Sequence, residues 1–277
     1  MKKNERAAAI VRTIVVSLIA VLFVVPLVWM VLSSLKTAPE VFARPFHWLP
    51  ARVQWQNYAT VWMNEEASML RAFANTLYIA LFIIVGQMII SSLAAYSFAK
   101  INFKGKQVVF MLFLSSMMVP SQLTIIPRFM LFKTIGLYNN LWTIILPAFF
   151  GATSIFMLRQ FYMGLPNDLI EAAKIDGAGH LRIFLRIMLP LTKAALMSLI
   201  ILAFISSWNE YMAPLIFLVK KELYTVSQNI QWYMLDEFKE HNLTMAAATS
   251  AIVPVVILFI VGQKYFVEGI ATSGVKG

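Results

Sequence analysis

Six long stretches with no charged side chain, or almost none, follow one another along this chain of 277 residues. A helix of such length can cross the hydrocarbon layer of a membrane. The fifth stretch contains Lys193, which lies near enough to its end for the amine to reach the interface. Lipid offers the backbone no hydrogen-bond partners and the chain has no barrel-like alternation, so the stretches must be helices. The sequence therefore predicts an all-α membrane protein with transmembrane helices at about 14–32, 76–99, 107–127, 141–158, 187–207 and 245–263.

The composition agrees with this prediction. Hydrophobic residues make up 60% of the chain and charged residues 13%, whereas about a quarter of the residues in a soluble domain are charged. We expect one transmembrane domain, 1–277, without a separate soluble catalytic domain. The basic start of the chain could be taken for a signal peptide, but no small-residue cleavage site follows the first apolar run, which predicts an uncleaved helix. The absence of cysteine excludes disulfides and thiol nucleophiles.

The distribution of basic residues predicts the topology. Six helices place both termini on the same side of the membrane, and that side carries 14 of the 23 Lys and Arg residues. The short loop 100–106 alone contributes three lysines, and short loops follow the positive-inside rule best. We therefore expect the N-terminus and the C-terminus in the cytoplasm.

The segment 166–190 is the most polar stretch between two strongly apolar ones. Asp168, with Glu171 three residues later, predicts the start of a helix that Asp168 caps and Glu171 reaches back to close. Gly177 is placed to end it in the left-handed conformation. A helix over about 168–177 is too short to be stable alone, so it must dock against something. The small side chains of Ala172 and Ala173 would let another protein approach the backbone closely.

This segment resembles the EAA motif of the permease subunits of ABC importers, and every position of that motif matches: Glu171, Ala172, Ala173, Gly177, Ile187, Leu189 and Pro190. The resemblance implies the type I ABC importer permease fold, with a short cytoplasmic coupling helix between transmembrane helices 4 and 5. It implies that this helix docks on a cytoplasmic ATPase, with Glu171 as the polar anchor and Asp176 as a second polar contact. Ala172, Ala173 and Gly177 would allow the close approach.

Three further segments resemble parts of the carbohydrate permeases, closest to the smaller maltose-type subunit. The first, after the fifth helix, gives candidates for the translocation path or a gate: Trp208, Asn209, Glu210 and Tyr211. For Glu210 the alternative is an interfacial carboxylate bound to neighbouring backbone amides. The second gives candidates for contact with a solute-binding protein: Gln228, Asn229, Gln231 and Trp232. The third is a tail implied to dock on the ATPase, or otherwise a frayed terminus: Ser273, Gly274, Val275, Lys276 and Gly277.

The resemblance implies a permease of an ATP-driven, binding-protein-dependent sugar importer in the bacterial cytoplasmic membrane. Its partners would be a homologous second permease, two ABC ATPases and an extracellular solute-binding protein, with no role for nucleic acid. ATP and Mg would be bound by the ATPases, and this chain would be neither an enzyme nor a metal or cofactor protein. A non-sugar solute such as a glycerol phosphodiester remains an alternative, as does a membrane scaffold that transports nothing.

Other classes of protein are excluded by what the sequence lacks. Gly105-Lys106 is followed by Gln107 and not by Ser or Thr, so the chain has no phosphate-binding loop of the ATPase type. His47, His180 and His241 are too scattered to suggest a metal site. No acidic pair lies inside a predicted span, which disfavours a proton-coupled transporter.

Overall fold

A computed structural model describes residues 2–235 and 240–274, with side chains for residues 8–235 and 240–263. In this part of the chain every regular element is helical. The first helices are α1 (Lys2–Ser34), α2 (Ala38–Val41), α3 (Gln56–Met63), α4 (Met69–Lys100), α5 (Lys106–Ser115), α6 (Ser121–Thr134), α7 (Trp142–Ala148) and α8 (Ala152–Met163). The later ones are α9 (Asp168–Ile175), α10 (His180–Ile183), α11 (Leu189–Leu191), α12 (Lys193–Trp208), α13 (Met212–Phe217), α14 (Val226–Leu235) and α15 (His241–Gly274).

Four helical segments are long and apolar enough to cross a membrane, and two bent pairs of helices bring the number to six. The single segments are Ala8–Ser34, Met69–Lys100, Trp142–Met163 and His241–Gln263. The pairs are Lys106–Met118 with Ser121–Thr134, and His180–Leu191 with Lys193–Trp208. Each of the six predicted stretches overlaps one of these segments or pairs.

The third predicted helix is not straight, because the chain bends by 96° between its two halves. After α5 a short 3-10 helix, Ser116–Met118, leads to Val119 in an extended conformation, and Pro120 then stands at the cap position of α6. The ring of a proline disfavours the helical conformation in the residue before it, which accounts for the break at Val119.

The fifth predicted helix bends by 77°. Before the bend, Phe184–Met188 forms a π-helix, and Pro190 follows in α11. A proline ring clashes with the carbonyl four residues earlier in a regular α-helix, and the wider π-helical turn relieves that clash.

The described chain divides into two compact units. The first contains residues 1–70 and 229–253, and its buried polar centre is Asn57. The Asn57 amide donates hydrogen bonds to the carbonyls of Ser34 and Lys36, both at 2.8 Å. Its side-chain oxygen accepts a bond of 3.0 Å from the amide of Asn242. These bonds join the end of α1, α3 and the start of α15.

The second unit contains residues 71–228 and 254–277. Its largest hydrophobic cluster brings α4, α8, α9, α10 and α12 together. The buried members of the cluster are Ala95, Tyr96, Ile155, Leu158, Tyr162, Ile170, Ala173, Ile183, Phe184, Met188 and Leu199. The short helix α9 is therefore part of the core of this unit and is not a free loop.

Candidate functional site

The helix of the EAA motif, α9, is defined by its backbone hydrogen bonds. It begins at Asp168, and the carbonyl of Asn167 accepts the first bonds, from the N–H groups of Ile170 at 2.8 Å and Glu171 at 3.0 Å. The residue at the cap position is Asn167, so the prediction that Asp168 caps the helix is wrong. The carboxylates of Asp168 and Glu171 still lie in the first turn, where the helix dipole favours negative charge.

The end of α9 is a Schellman motif. The N–H of Ala178 donates to the carbonyl of Ala173 at 2.9 Å, and the N–H of Gly177 donates to that of Lys174 at 3.0 Å. Gly177 has a φ of +75°, which confirms the predicted left-handed residue. The two bonds satisfy carbonyls that the end of a helix leaves free, and they fix the direction in which the chain leaves α9.

The two faces of α9 differ sharply in exposure. Ile170 and Ala173, three residues apart, are 5% and 9% exposed and belong to the core cluster. Glu171, Ala172, Asp176 and Gly177 are exposed. Ala173 therefore packs inside the subunit, and the surface left for another protein on this helix is formed around Glu171 and Ala172.

The second half of the motif supports α9 from the following segment. Ile187 and Leu189 are partly buried and pack against the core cluster, while Pro190 is exposed. Met188 between them is fully buried. The motif thus combines residues that are exposed on α9 with Ile187 and Leu189, which pack the following helical segment against the same core cluster.

A cavity of about 460 Å³ lies within the second unit. Its polar and charged lining residues are Gln87, Arg128, Thr153, Ser154, Ser206, Ser207 and Glu210. The amide of Gln87 donates to the hydroxyl of Ser154 at 3.1 Å. Hydroxyl, amide, carboxylate and guanidinium groups facing one space can bind the hydroxyls of a polar solute.

Two opposite charges line this cavity. The carboxylate of Glu210 accepts a hydrogen bond of 2.9 Å from the N–H of Ala213. The guanidinium of Arg128 lies 5.3 Å from the centre of the Phe217 ring and donates a long bond of 3.5 Å to the carbonyl of Thr143. Glu210 thus borders the cavity and accepts a hydrogen bond from a neighbouring backbone amide, while its part in a translocation path or gate stays a prediction.

The other three residues predicted near Glu210 are not among the residues that line this cavity. Trp208 is 2% exposed, with its ring stacked on Phe204 at 5.3 Å between centres. The amide of Asn209 donates to the carbonyl of Ile205 at the end of α12, and Tyr211 is half-buried. Trp208 therefore packs in the core, and Asn209 closes a helix end.

Two residues predicted to contact a binding protein are buried. The Gln228 amide donates to the carbonyls of Pro214 at 3.0 Å and Leu218 at 3.2 Å, and its oxygen accepts from the N–H of Thr225. Asn229 is only 1% exposed, and Gln231 and Trp232 are half-buried. In this conformation the Gln228 side chain stabilises the loop to which it belongs. Of the four candidates, only Gln231 and Trp232 are exposed enough for another protein to contact them.

The predicted docking tail lies mostly outside the described residues. Ser273 and Gly274 are the last residues of α15, whereas Val275, Lys276 and Gly277 fall beyond the described range. Elsewhere, no group of three His, Asp or Glu side chains among the described residues could hold a metal ion.

Sequence reasoning missed Gln87, Arg128 and Ser154 as cavity residues. Gln87 is the only amide side chain in the predicted helix 76–99, whose other polar side chains carry hydroxyl groups. Arg128 directly follows the predicted third helix. A polar side chain inside or at the edge of a span is costly unless it has a role, and this signal could have found both residues.

Long apolar helices around a cavity with polar and charged walls define an integral membrane protein of the transport class. The comparisons with known proteins make this specific. Residues 87–272 match the family described as the binding-protein-dependent transport system inner membrane component. The chain belongs to this family. It is accordingly a multi-pass permease of the bacterial inner membrane, and not the subunit that hydrolyses ATP.

The similarity extends over nearly the whole chain. The arabinooligosaccharides transport system permease protein AraQ of Bacillus subtilis (strain 168) is 33% identical over 267 residues, which are 96% of this chain and 95% of that protein. The sn-glycerol-3-phosphate transport system permease protein UgpE of Pectobacterium atrosepticum is 30% identical over 94% of each chain.

A solved structure shares the fold. A chain in the crystal structure of a bacterial ABC transporter involved in the import of the acidic polysaccharide alginate superposes with a TM-score of 0.84. The match covers 95% of this chain and 98% of that one, at 24% sequence identity. The fold is therefore that of the type I ABC importer permeases.

Proposed function

We propose that this chain is one permease subunit of an ATP-driven importer of oligosaccharides. It pairs with a homologous permease, binds two cytoplasmic ABC ATPases through α9, and receives its solute from an extracellular binding protein. Its termini lie in the cytoplasm. ATP and Mg belong to the ATPases in this proposal.

The observation that carries the proposal is the geometry of α9. The helix is packed into the core through Ile170 and Ala173, while Glu171 and Ala172 remain exposed on its other side. A short helix with one side anchored and the other free can transmit a push from a partner to the bundle. Since an exposed carboxylate favours a basic partner group, we assign Glu171 as the polar anchor and Asp176 as a secondary contact.

The transport cycle follows from differential binding. A ligand shifts a two-state equilibrium only by as much as its affinity differs between the two states. ATP must therefore favour the state of the ATPases that places α9 in one of two positions. The cavity around Gln87 and Glu210 is this subunit's share of the path whose access changes with that position.

The sugar assignment rests on the cavity and on the relatives. AraQ is named for arabinooligosaccharides, and a diacetylchitobiose uptake permease of Streptomyces coelicolor is 29% identical over 265 residues. Beside two charges of opposite sign, the cavity presents four hydroxyl side chains and one amide: Thr153, Ser154, Ser206, Ser207 and Gln87. Such a lining suits a neutral, hydroxyl-rich solute.

Arg128 supports a second candidate, an anionic solute such as a glycerol phosphate ester. Its buried Nε atom has no hydrogen-bond partner among the described residues, and a guanidinium binds phosphate well. The similarity to UgpE, named for sn-glycerol-3-phosphate, points in the same direction.

Reconstitution of the complete importer in proteoliposomes tests both candidates. We expect ATP-dependent uptake of radiolabelled arabinotriose, and uptake of sn-glycerol-3-phosphate instead would select the anionic alternative. Failure to move either solute, or any member of a wider oligosaccharide panel, while the binding protein and ATPases are present, would refute the transport proposal.

A variant of α9 tests the coupling role. Ala172→Arg adds a large cation on the exposed face, and we expect it to abolish ATPase binding and uptake without affecting membrane insertion. Ala173→Arg is unsuitable for this test, because Ala173 is buried in the core and a charge there would disrupt the subunit itself. Normal uptake by the Ala172→Arg complex would remove α9 from the ATPase interface.

A further inference from the structure

The last residue of α4, Lys100, is bound to the chain just before α9. Its ammonium donates hydrogen bonds to the carbonyl of Leu165 and to the side-chain oxygen of Asn167, both at 2.7 Å. Asn167 is the residue whose carbonyl accepts the first hydrogen bonds of α9. Lys100 therefore fixes the position of Asn167, and with it the first turn of α9. Hydrogen bonds from a charged donor are about twice as strong as neutral ones.

One turn earlier on α4, Tyr96 is bound to the chain just after α9. Its hydroxyl lies 3.2 Å from the Nδ1 of His180, the first residue of α10. The Tyr96 ring is 3% exposed and lies 5.3 Å from the ring of Phe184. Residues four apart share a face of a helix. The segments before and after α9 therefore both bind to the same face of α4, near its end.

The end of α4 does not depend on Lys100 for its own stability. The Arg159 side chain donates to the carbonyl of Phe98 at 3.2 Å, and its guanidinium stacks 4.0 Å from the ring centre of Phe110. The Lys106 ammonium donates to the carbonyls of Ala99 and Ile101. These cations satisfy carbonyls that a helix end leaves free. Removal of the Lys100 charge should therefore loosen the attachment of α9 to α4 without unwinding α4.

The same helix α4 reaches the cavity. It is continuous from Met69 to Lys100 and contains no proline. Gln87 lies 13 residues before Lys100, so the two are about 20 Å apart along the axis. Gln87 borders the cavity and packs against the break between α7 and α8 so closely that a Cβ on Gly151 would overlap its amide. A displacement of the end of α4 must therefore move a wall of the cavity.

We propose that α4 carries the motion of α9 to the cavity, and that Lys100 and Tyr96 are the positioning residues that join the two. The chain itself connects α9 only to α8 and α10, so without these side chains the motion would reach α4 through packing alone. The inference rests on the proposed function, because it assigns a route to the coupling that the function requires.

The test uses the complete importer in proteoliposomes, with ATP hydrolysis and arabinotriose uptake measured on the same preparation. Lys100→Met keeps most of the stem and removes the ammonium. We expect ATP hydrolysis to continue while uptake per ATP falls by about tenfold or more, because the loss of even one of the two charged hydrogen bonds corresponds to about that factor. Lys100→Arg, which can donate to both oxygens, should restore most of the uptake.

A matched control is Lys104→Met in the same short loop. Lys104 is exposed, and none of the hydrogen bonds in the described part of the chain involves its side chain, so its replacement should leave uptake per ATP unchanged. Tyr96→Phe removes a single oxygen and keeps the packed ring, so it tests the second attachment even if Lys100→Met assembles poorly.

A second readout does not depend on the solute. The chain has no cysteine, so Ile83→Cys on the cavity wall gives one thiol in this subunit whose labelling by a maleimide can be followed in the complex. We expect ATP to change the labelling rate with Lys100 present and to leave it unchanged with Lys100→Met. Equal ATP effects in the two backgrounds, or unchanged uptake per ATP, would overturn the inference. Absence of uptake in the parent complex would instead refute the proposed sugar, and the labelling result would still decide the route.

Discussion

Ile170 is the side chain that holds α9 in the core, and its removal has a predictable cost. It is 5% exposed and packs in the cluster that contains Ala173 and Tyr162. Ile170→Ala deletes three carbon groups, which corresponds to about 2.4 kcal/mol of lost burial at roughly 0.8 kcal/mol each. The cavity left behind adds to this value, and buried Ile→Ala changes cost about 2–5 kcal/mol.

Most of this free energy should appear as local opening of α9, because two turns of helix have little stability of their own. A loss of 2.4 kcal/mol raises the open population by about 50-fold, at 1.4 kcal/mol for each factor of ten. Trypsin can cut after Lys174 only when α9 is open, and cleavage follows the open population when opening and closing are fast. We therefore expect cleavage after Lys174 to be about 50 times faster in the variant.

The measurement uses the full-length chain with its partner permease in nanodiscs, without the ATPases that would cover α9. Mass spectrometry identifies the cut after Lys174. Leu169→Ala is the control, because Leu169 lies on the same helix but is 40% exposed, and its cleavage rate should stay within a few-fold of the parent. Equal rates for Ile170→Ala and Leu169→Ala would refute the conclusion that α9 is anchored through its buried face.

Three further predictions concern single residues. Gly177→Ala should destabilise the turn after α9 by about 1 kcal/mol because Gly177 has a positive φ, whereas Gly179→Ala, equally free of neighbours but at negative φ, should be close to neutral in thermal unfolding. Glu210→Gln should lower uptake without releasing the ATPase, because it removes the negative charge of the cavity; unchanged uptake would leave Glu210 with a structural role only. Hydrogen bonds from the backbone N–H and hydroxyl of Thr37 lower the pKa of Glu40 below 4.5, so the stability they give is present above pH 4.5 and is lost as the pH falls through the lowered pKa. Hydrogen exchange at the start of α2 should therefore become faster at acid pH, and Glu40→Gln should remove this pH dependence. The same pH dependence in the variant would show that the Glu40–Thr37 hydrogen bonds do not cause it.

The positions of the membrane helices could be predicted from sequence because the length of an apolar run is a local property. The bends could not. Pro127 and Pro254 lie inside helices that continue through them, whereas the chain breaks at Pro120. A proline shows where a helix can break, but the packing around it decides whether it does.

For the candidate site too, sequence predicted the local features and missed those that depend on packing. The EAA motif located α9 and its terminating glycine, since both depend on neighbouring residues in the chain. The motif could not show that Ala172 is exposed and Ala173 is buried, because both residues are alanine. The spacing of Ile170 and Ala173 was the one signal for the buried face. The contact between Gln87 and Ser154 joins residues 67 positions apart, and no local pattern indicates it.

The first helix leads to a different consequence. None of the residues in the most apolar window of Ala8–Ser34 is buried by the rest of the described chain. Surrounding lipid alone is sufficient to keep such a segment helical, because an unfolded backbone would leave its polar groups unpaired in hydrocarbon. This helix can therefore enter the bilayer before any tertiary structure exists. Its apolar surface is then available for contact with other membrane proteins. Substitutions on this surface are therefore constrained by those neighbours and not by the core of the subunit.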